Sequence, residues 1–331
     1  MTALYPFLMT PVFDPRPWGT LDLSPIYPNR TFSEKIGESW LTGDHCKVAN
    51  GPLSERSLAE LSTEYGPELV GDAARDPKRF PLLMKFLFPH EKLSVQVHPD
   101  DECAQKAGEP WGKTECWYVA SALPGAQIAL GMKPGVTCEQ LEQGIREHRA
   151  EALLNWVGVE KGDLIYVAGG TVHTLGPGSI IVETQQQSDT TYRLYDYGRP
   201  RELHLERGLA AVKVAHGSGK ISRPSSASDT GAQHEELIAA PYFVVERFVL
   251  TTPKTLTTTD ESGVRSVQIL LALNGRGSVE AHGSEPVTFA KGDAVVVPAN
   301  IWNFEVRPQS EVEFIMAHVP GKPLPEPVTS L

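Results

Sequence analysis

The sequence predicts a mainly β protein that folds as two β-barrels, with a few helices inserted in and around the first. Ten short segments have the alternating or continuously apolar pattern of strands, and 29 glycines and 27 prolines indicate many turns between them. In addition, one pattern of a turn followed by a strand occurs twice. Many short strands separated by turns are typical of β-sandwiches and barrels, and the repetition indicates two of them.

Length and charge agree with a globular chain of two domains. At roughly 150 residues per domain, a chain of 331 residues corresponds to two domains. Lys and Arg number 30 against 41 Asp and Glu, and the formal charge of −11 argues against nucleic-acid binding. No run of about 18 apolar residues predicts a membrane span, and the first residues lack a signal-peptide pattern. We therefore expect no nucleic-acid, membrane or obligate protein partner.

The four cysteines, Cys46, Cys103, Cys116 and Cys138, have no spacing typical of zinc fingers or paired redox sites. In a chain of this length they do not resemble a disulfide framework. We therefore expect free thiols in a reducing compartment, which places the protein in the cytoplasm.

The clearest strand, residues 93–98, alternates apolar and polar side chains. This alternation places Ser94, Gln96 and His98 on one face of the strand. The other segments with a strand pattern are 116–119, 127–130, 163–167, 180–184, 192–197, 242–250, 267–273, 294–297 and 312–317.

Four segments have helical spacing of their apolar residues. One of them begins with Pro77 at a predicted first turn, and another opens with the capping-box pair Thr137 and Gln140. The predicted helices are 54–64, 76–88, 137–157 and 202–215.

A repeated pattern divides the chain. Residues 161–168 and 291–298 both begin Lys-Gly-Asp and continue as an apolar strand. Between them, 216–233 is rich in Ser, Gly and Thr, a composition typical of a linker or surface loop. We therefore expect a first domain with helical insertions at 1–215, this linker or loop, and a second barrel at 234–331.

The two copies differ in their polar residues. At matching distances from the repeated glycines, the first copy has Glu115 and His173 where the second has Arg265 and Asn303. A barrel interior needs polar side chains only where something polar is bound. We therefore predict that the first barrel is functional and the second is a degenerate, structural barrel.

His98, Glu115 and His173 form a candidate metal site. Two imidazoles and one carboxylate are a common ligand set for a catalytic divalent ion, and Gln96 offers a neutral oxygen on the same strand face as His98. Taken singly, each histidine is more typical of a surface or hydrogen-bonded residue. Their placement together at matching barrel positions favours a metal site.

Three further side chains are candidates for substrate binding. Lys113 precedes the candidate carboxylate by two residues, and Arg193 is expected to share a strand face with Tyr195 and Tyr197. Fixed cations near a metal suit a phosphate group or a developing oxyanion, and surface ion pairs are the alternative for both residues. Ser94 is either a phosphate-binding hydroxyl or a buried, satisfied one.

Several stretches resemble known families. The spacing of Gly162, Gly170 and His173 resembles the second motif of cupins, which are jelly-roll β-barrels, with Ala168 in place of the usual proline. The region around Gln96 resembles the first cupin motif, with glutamine in place of its first histidine. More narrowly, five stretches resemble type I mannose-6-phosphate isomerases, closest to the short bacterial form: 16–19, 37–40, 93–101, 112–118 and 187–197.

The resemblance implies two cupin-like barrels and a zinc ion held by Gln96, His98, Glu115 and His173. It implies that Arg193 is an active-site arginine, that Lys113 is the lysine beside the metal-binding glutamate, and that Ser94 contacts the substrate phosphate. The implied activity is the metal-dependent interconversion of mannose 6-phosphate and fructose 6-phosphate, an aldose–ketose isomerisation through a cis-enediolate.

The group that moves the proton stays open at this stage. Candidates are His98, Lys113, Glu38 or a water held by the metal, and a histidine that ligates zinc is poorly placed to act as a free base. Two other classes of protein also fit the residues. One is a different metal-dependent cupin enzyme, either another sugar isomerase or an oxygenase. The other is a non-catalytic cupin that binds a sugar phosphate.

Overall fold

In the described part of the chain, the strands form four antiparallel sheets. The computed structural model describes residues 2–214, 217–221, 227–229 and 232–330. Numbered in chain order, the strands are β1 (Phe7–Leu8), β2 (Val12–Thr20), β3 (Ile36–Trp40), β4 (Leu82–Leu87), β5 (Val95–Val97), β6 (Glu115–Ala122), β7 (Gln127–Met132), β8 (Leu154–Gly158), β9 (Leu164–Val167), β10 (His173–Leu175), β11 (Ser179–Gln186), β12 (Tyr192–Tyr195), β13 (Gly219–Ile221), β14 (Ala227–Asp229), β15 (Ala232–Ala239), β16 (Val244–Leu250), β17 (Lys254–Thr257), β18 (Gln268–Asn274), β19 (Arg276–Ala281), β20 (Val287–Ala290), β21 (Ala294–Val297), β22 (Asn303–Pro308), β23 (Val312–His318) and β24 (Thr329–Ser330). The α-helices are α1 (Leu58–Tyr65), α2 (Pro67–Val70), α3 (Asp101–Lys106), α4 (Cys138–Arg146) and α5 (Leu205–Ala211). Short 3-10 helices are Gly51–Leu53, Ala150–Leu153 and Ala299–Ile301.

Each half of the chain pairs a small outer sheet with a large inner sheet. The first outer sheet has the strand order β12-β5-β10-β7-β8, and the first inner sheet has the order β2-β3-β4-β11-β6-β9-β13-β24. The second inner sheet runs β1-β21-β18-β23-β16-β15-β14, and the second outer sheet runs β17-β22-β19-β20. Strand β1 joins the second half and β24 joins the first, so strands near both ends of the chain tie the halves together.

Side chains that point alternately to the two faces of each sheet fill the space between neighbouring sheets. On β6, Trp117 and Val119 pack with Ile128 of the first outer sheet, which closes the first barrel. Their neighbours Cys116 and Tyr118 point the other way and belong to the large cluster between the two inner sheets. The layers therefore follow the order outer, inner, inner, outer.

The second barrel closes in the same way. Leu270 and Phe314 of the second inner sheet pack with Val279 and Phe304 of the second outer sheet. Helices cover the free face of the first outer sheet, where Leu141 of α4 packs in the cluster that holds the strand residues on that face. The prediction of a mainly β protein with a few helices around the first barrel is confirmed.

Two predicted helices are wrong in type or extent. Residues 82–87 of the predicted helix 76–88 form strand β4, in which every residue is buried. The predicted helix 137–157 ends at Arg146, and the chain continues through a 3-10 turn into strand β8. A continuous apolar run suits a strand with both faces covered as well as a buried helix, which is why its periodicity is ambiguous.

The predicted linker 216–233 lies partly outside the described residues, because 215–216, 222–226 and 230–231 are not among them. The remaining residues contribute to β13, β14 and β15. No helix in the described part of the chain combines the length and the apolar character needed to cross a membrane.

Candidate metal centre and active site

Three strands bring the candidate ligands together. Glu115 is the first residue of β6, and His173 is the first residue of β10, where it pairs with Gln96 of β5. His98 follows β5 by one residue. One ligand atom from each of His98, Glu115 and His173 lies within 4.8 Å of the others, and all three side chains are buried. Three of the four residues expected to bind a metal therefore share one centre.

The backbone orients both imidazoles toward this centre. His98 Nδ1 lies 2.9 Å from the carbonyl oxygen of Thr190, and His173 Nδ1 lies 2.9 Å from that of Thr171. Because a carbonyl only accepts, each Nδ1–H donates and each Nε2 keeps its lone pair. Both Nε2 atoms lie 3.6 Å from a carboxylate oxygen of Glu115. Outer hydrogen bonds of this kind fix metal-binding histidines in one tautomer.

Burial keeps the two histidines neutral, as metal binding requires. Burial, the Lys113 charge and the neighbouring imidazole hold the pKa of His98 well below its usual value. Burial also lowers the pKa of His173, to about 4. Their Nε2 atoms are therefore available as neutral ligands near pH 7.

Glu115 is the acidic member of the centre. Its side chain is fully buried, and neither of its oxygens has a hydrogen-bond partner among the described residues. Burial and the charge of Glu183 raise its pKa to about 7, although Lys113 lies 3.2 Å from its Oε2 and acts in the opposite direction. A buried carboxylate that has an ion pair with Lys113 on one side and faces two imidazole lone pairs on the other fits a divalent cation.

Gln96 lies at the edge of the same centre. Its Nε2 is 3.2 Å from His173 Nε2, and its Oε1 accepts a hydrogen bond from Ser94 at 3.2 Å. Turning the amide by 180° presents the oxygen to the centre instead. Gln96 therefore lies close enough to His173 to be a fourth candidate ligand, with Ser94 beside it.

A polar cavity of about 230 Å³ opens beside the centre. Four of the predicted site residues line it: Ser94, Gln96, Lys113 and Arg193. Five cations face three carboxylates in its wall: Arg16, Lys85, Lys113, Arg193 and Arg201 against Glu38, Glu183 and Asp189. Although the chain carries a charge of −11, the cavity has an excess of positive charge suited to an anion.

Arg193 reaches this cavity from β12. It pairs with Gln96 across the sheet, and its Nη1 donates to the carbonyl of Glu202 at 2.8 Å. The expectation that Arg193, Tyr195 and Tyr197 share one face is wrong. The strand register shifts between Arg193 and Tyr195, so both tyrosines pack in the apolar cluster under the helices.

Five charged residues that line the cavity are not predicted as site residues from the sequence: Arg16, Lys85, Glu183, Asp189 and Arg201. Lys85 Nζ lies 3.0 Å from Glu38 Oε2 and 3.1 Å from Glu183 Oε1, and Lys113 lies 3.8 Å from Glu183. The sequence signal for Lys85 and for Glu183 is a single charged residue within a buried strand, as Lys85 is within Leu82–Leu87. Burying an unpaired charge is costly, so such a residue indicates a partner or a site.

We expect Lys85→Met to destabilise the fold strongly. The lysine is buried, and its removal leaves Glu38 and Glu183 without their shared counter-ion. Breaking a buried pair in this way costs about 3–5 kcal/mol. Lys35→Met is the matched control, since Lys35 and Glu91 form an exposed pair that contributes less than about 1 kcal/mol. Urea unfolding of both variants measures the difference, and equal losses of stability contradict the expectation.

The barrel and its buried centre are those of a cupin-like protein with a candidate metal site, beside a cavity in which positive charge is in excess. Residues 18–121 match the family model of the phosphomannose isomerase type I catalytic domain. The mannose-6-phosphate isomerase of Streptococcus mutans is 35% identical over 313 residues, 91% of this chain and 94% of the relative. The probable mannose-6-phosphate isomerase GmuF of Bacillus subtilis is 32% identical over 328 residues, 95% of this chain and 99% of the relative. The chain belongs to the mannose-6-phosphate isomerase family.

Solved structures agree with this assignment. The crystal structure of the mannose 6-phosphate isomerase from Bacillus subtilis superimposes with a TM-score of 0.84 at 33% identity, covering 95% of this chain and 99% of that chain. A putative mannosephosphate isomerase from Archaeoglobus fulgidus, at 23% identity and a TM-score of 0.71, shares the fold.

Proposed function

We propose that this protein is a metal-dependent isomerase that interconverts mannose 6-phosphate and fructose 6-phosphate through a cis-enediolate. One observation carries the proposal: the buried His98, Glu115 and His173 centre adjoins a cavity with an excess of cations. The reaction moves a proton between C1 and C2 and develops negative charge on two neighbouring oxygens. A site for this chemistry needs a Lewis acid, fixed positive charge and a group that carries a proton.

We propose that Gln96, His98, Glu115 and His173 hold one divalent ion, and that this ion is zinc. Neutral imidazole nitrogens and a carboxylate oxygen suit zinc, and zinc can accept a fifth ligand beside four protein ligands. When bound, the ion supplies Lewis-acid polarisation of the substrate oxygens. The donor atoms and their burial support this assignment.

Arg193 is the best candidate for the cation that holds the substrate. Arg201 donates to both carboxylate oxygens of Asp196 at 2.7 Å, and Arg16 lies 2.7 Å from Glu38. Arg193 donates instead to a neutral carbonyl, and its buried Nε has no partner among the described residues. Burial and the nearby Arg201 lower its pKa, as expected where positive charge is in excess. With Ser94, it offers donors to an anionic sugar phosphate.

Among the candidate side chains we propose Lys113 as the group that transfers the proton, with a water held by the metal as the alternative. In both histidines, Nδ1 is bound to a carbonyl and Nε2 faces the centre. Glu38 accepts hydrogen bonds from Arg16 and Trp40, and although burial raises its pKa, Lys85 and Arg16 lower it to about 2 overall. Lys113 lines the cavity, and its Nζ lies 3.2 Å from both His98 Nε2 and Glu115 Oε2.

We expect Lys113→Met to lower kcat by about 10² to 10⁴-fold, the range typical of losing a general acid–base group. The variant keeps its metal, because the substitution removes no proposed ligand and takes a positive charge away from the centre. A steady-state assay with metal analysis checks both points. Lys92→Met, which changes a lysine outside the cavity, is the control. Loss of the metal together with activity contradicts the proposed role.

We further propose that residues 1–215 form the catalytic domain, with 216–233 as the connection and 234–331 as the second barrel. The described cysteines are free thiols, which supports a location in the cytoplasm. We also propose that the enzyme acts on its small substrate without an obligate protein partner, since all proposed site residues come from this chain.

A coupled isomerase assay on mannose 6-phosphate, glucose 6-phosphate and unphosphorylated mannose tests the proposed function. We expect turnover of mannose 6-phosphate with a much higher kcat/KM than for the other two sugars. Oxygen uptake with bound iron indicates an oxygenase instead. Binding of mannose 6-phosphate without turnover indicates a non-catalytic cupin. Either result contradicts the proposal.

A further inference from the structure

The second barrel has a cavity at the position that corresponds to the active site. Glu115 of the first barrel pairs with Val167, and Gln268 of the second pairs with Val297, which is the matching residue of the repeat. The strand register therefore makes Gln268 the counterpart of Glu115, and the sequence-based alignment with Arg265 is wrong. Arg265 instead lies outside the barrel strands and pairs with Asp72.

The remaining positions follow from the same registers. Gln96 pairs with His173 in the first barrel, and Thr257 pairs with Asn303 in the second. The metal ligands are thus replaced by amides and hydroxyls. Lys85 pairs with Glu183, and their counterparts, Glu246 and Met316, also pair with each other. At the position of Lys85 the second barrel therefore carries the opposite charge.

This second cavity is large, at about 840 Å³ against about 230 Å³ for the first. A barrel with a purely structural role is expected to fill its interior with apolar side chains. Here the cavity stays open and keeps polar side chains in its wall. A volume of this size lies within the range of small-molecule binding sites.

Two buried polar atoms in this wall have no hydrogen-bond partner among the described residues. Gln268 is 97% buried, and its Oε1 has no hydrogen-bond partner among the described residues. His318 Nδ1 is buried and lies 3.8 Å from Glu246 Oε2, too far for a hydrogen bond. Buried polar groups are normally hydrogen-bonded, so these atoms indicate a ligand.

The charge of the wall indicates which ligand. Two lysines face four carboxylates there: Lys254 and Lys322 against Glu236, Glu246, Asp260 and Glu261. No arginine is among the described residues that line this cavity, whereas three line the first. This balance disfavours a phosphate. The carboxylates and the unpaired amide oxygen of Gln268 accept hydrogen bonds. His234 Nε2 lies 2.6 Å from Glu246 Oε1, so that carboxylate already has one partner. This favours a ligand that is a neutral hydrogen-bond donor over a cation.

We propose that the second barrel binds a neutral polyhydroxylated molecule, of the chemical class of an unphosphorylated sugar, in contact with Gln268, Glu246 and His318. Sugar hydroxyls both donate and accept, so one molecule can satisfy the amide oxygen, the carboxylate and the imidazole nitrogen. The site is distinct from the metal centre and does not depend on the proposed isomerase activity.

Calorimetric titration of D-mannose and D-glucose into the metal-loaded full-length chain tests the proposal. The variants are Gln268→Leu and Glu246→Gln, and Arg193→Ala is the matched control in the first cavity. We expect binding of at least one of the two sugars, weakened about three- to tenfold by each second-barrel variant, as expected for losing one hydrogen bond. Binding to the control is unchanged, and the isomerase kcat of Gln268→Leu equals that of the natural sequence.

Three results overturn the proposal. The first is no binding of either sugar in the millimolar range. The second is sugar binding that Arg193→Ala abolishes and Gln268→Leu leaves intact, because the sugar then occupies the first cavity. The third is that inorganic phosphate or putrescine binds in place of the sugars, and that this binding depends on Gln268. Thermal unfolding of each variant confirms that a loss of affinity does not come from a loss of fold.

Discussion

Glu115→Gln is expected to lose the metal and almost all isomerase activity. Glutamine keeps the size of the side chain but removes the carboxylate whose oxygens face both His98 and His173. The metal then loses its one anionic ligand, and the substrate oxygens lose their Lewis acid. We expect kcat/KM to fall by more than the ~10² to 10³-fold that removal of one oxyanion-hole donor costs.

The measurement is metal content beside steady-state kinetics on mannose 6-phosphate. Cys116→Ala is the matched control, because Cys116 is the next residue on the same strand, is equally buried and faces the opposite sheet. The control keeps its metal and activity, even if its stability falls somewhat. A Glu115→Gln enzyme that retains stoichiometric metal and normal kcat is incompatible with the proposed centre.

Arg193→Ala is expected to lower kcat/KM by about 10² to 10³-fold while the metal stays bound. Its guanidinium lines the cavity without a carboxylate partner, so it is free to stabilise an anionic substrate or an enediolate. The side chain pairs across the sheet with Gln96 but donates no bond to the proposed ligands. Removing it therefore affects substrate and transition state rather than the metal.

Arg193→Lys distinguishes the effect of the positive charge at this position from the effect of the guanidinium geometry. A lysine keeps the positive charge but lacks the planar fork of donors, so we expect only partial recovery of kcat/KM. Arg207→Ala, on the exposed side of α5, is the control for a lost surface arginine and leaves the kinetics unchanged. If Arg193→Ala instead releases the metal, the arginine has a structural role.

Local patterns predict the centre well because its residues lie at strand positions with clear alternation. Gln96 and His98 are two residues apart on one face, and the structure brings both against His173, the residue that the repeat singles out. The comparison of Glu115 with Arg265 fails for a different reason. Counting residues from a turn ignores strand register: Glu115 lies ten residues before Gly125, whereas its counterpart Gln268 lies only seven before Gly275.

The rest of the cavity depends on packing that local patterns do not record. Lys85 lies in a run that is apolar on both faces, because β4 is buried between two layers. Periodicity therefore predicts neither that this run is a strand nor toward which layer the Lys85 side chain points. The same holds for Glu183, which pairs with Lys85 only once β4 and β11 are neighbours. Such pairings join residues about a hundred positions apart, and only the tertiary fold defines them.

Removal and return of the metal tests the central claim most directly. The full-length chain is freed of metal by chelation, its metal content is verified, and its activity on mannose 6-phosphate is measured before and after addition of zinc. The account predicts loss of activity in the metal-free protein and recovery that saturates at one equivalent of zinc. Full activity in a verified metal-free preparation contradicts the account.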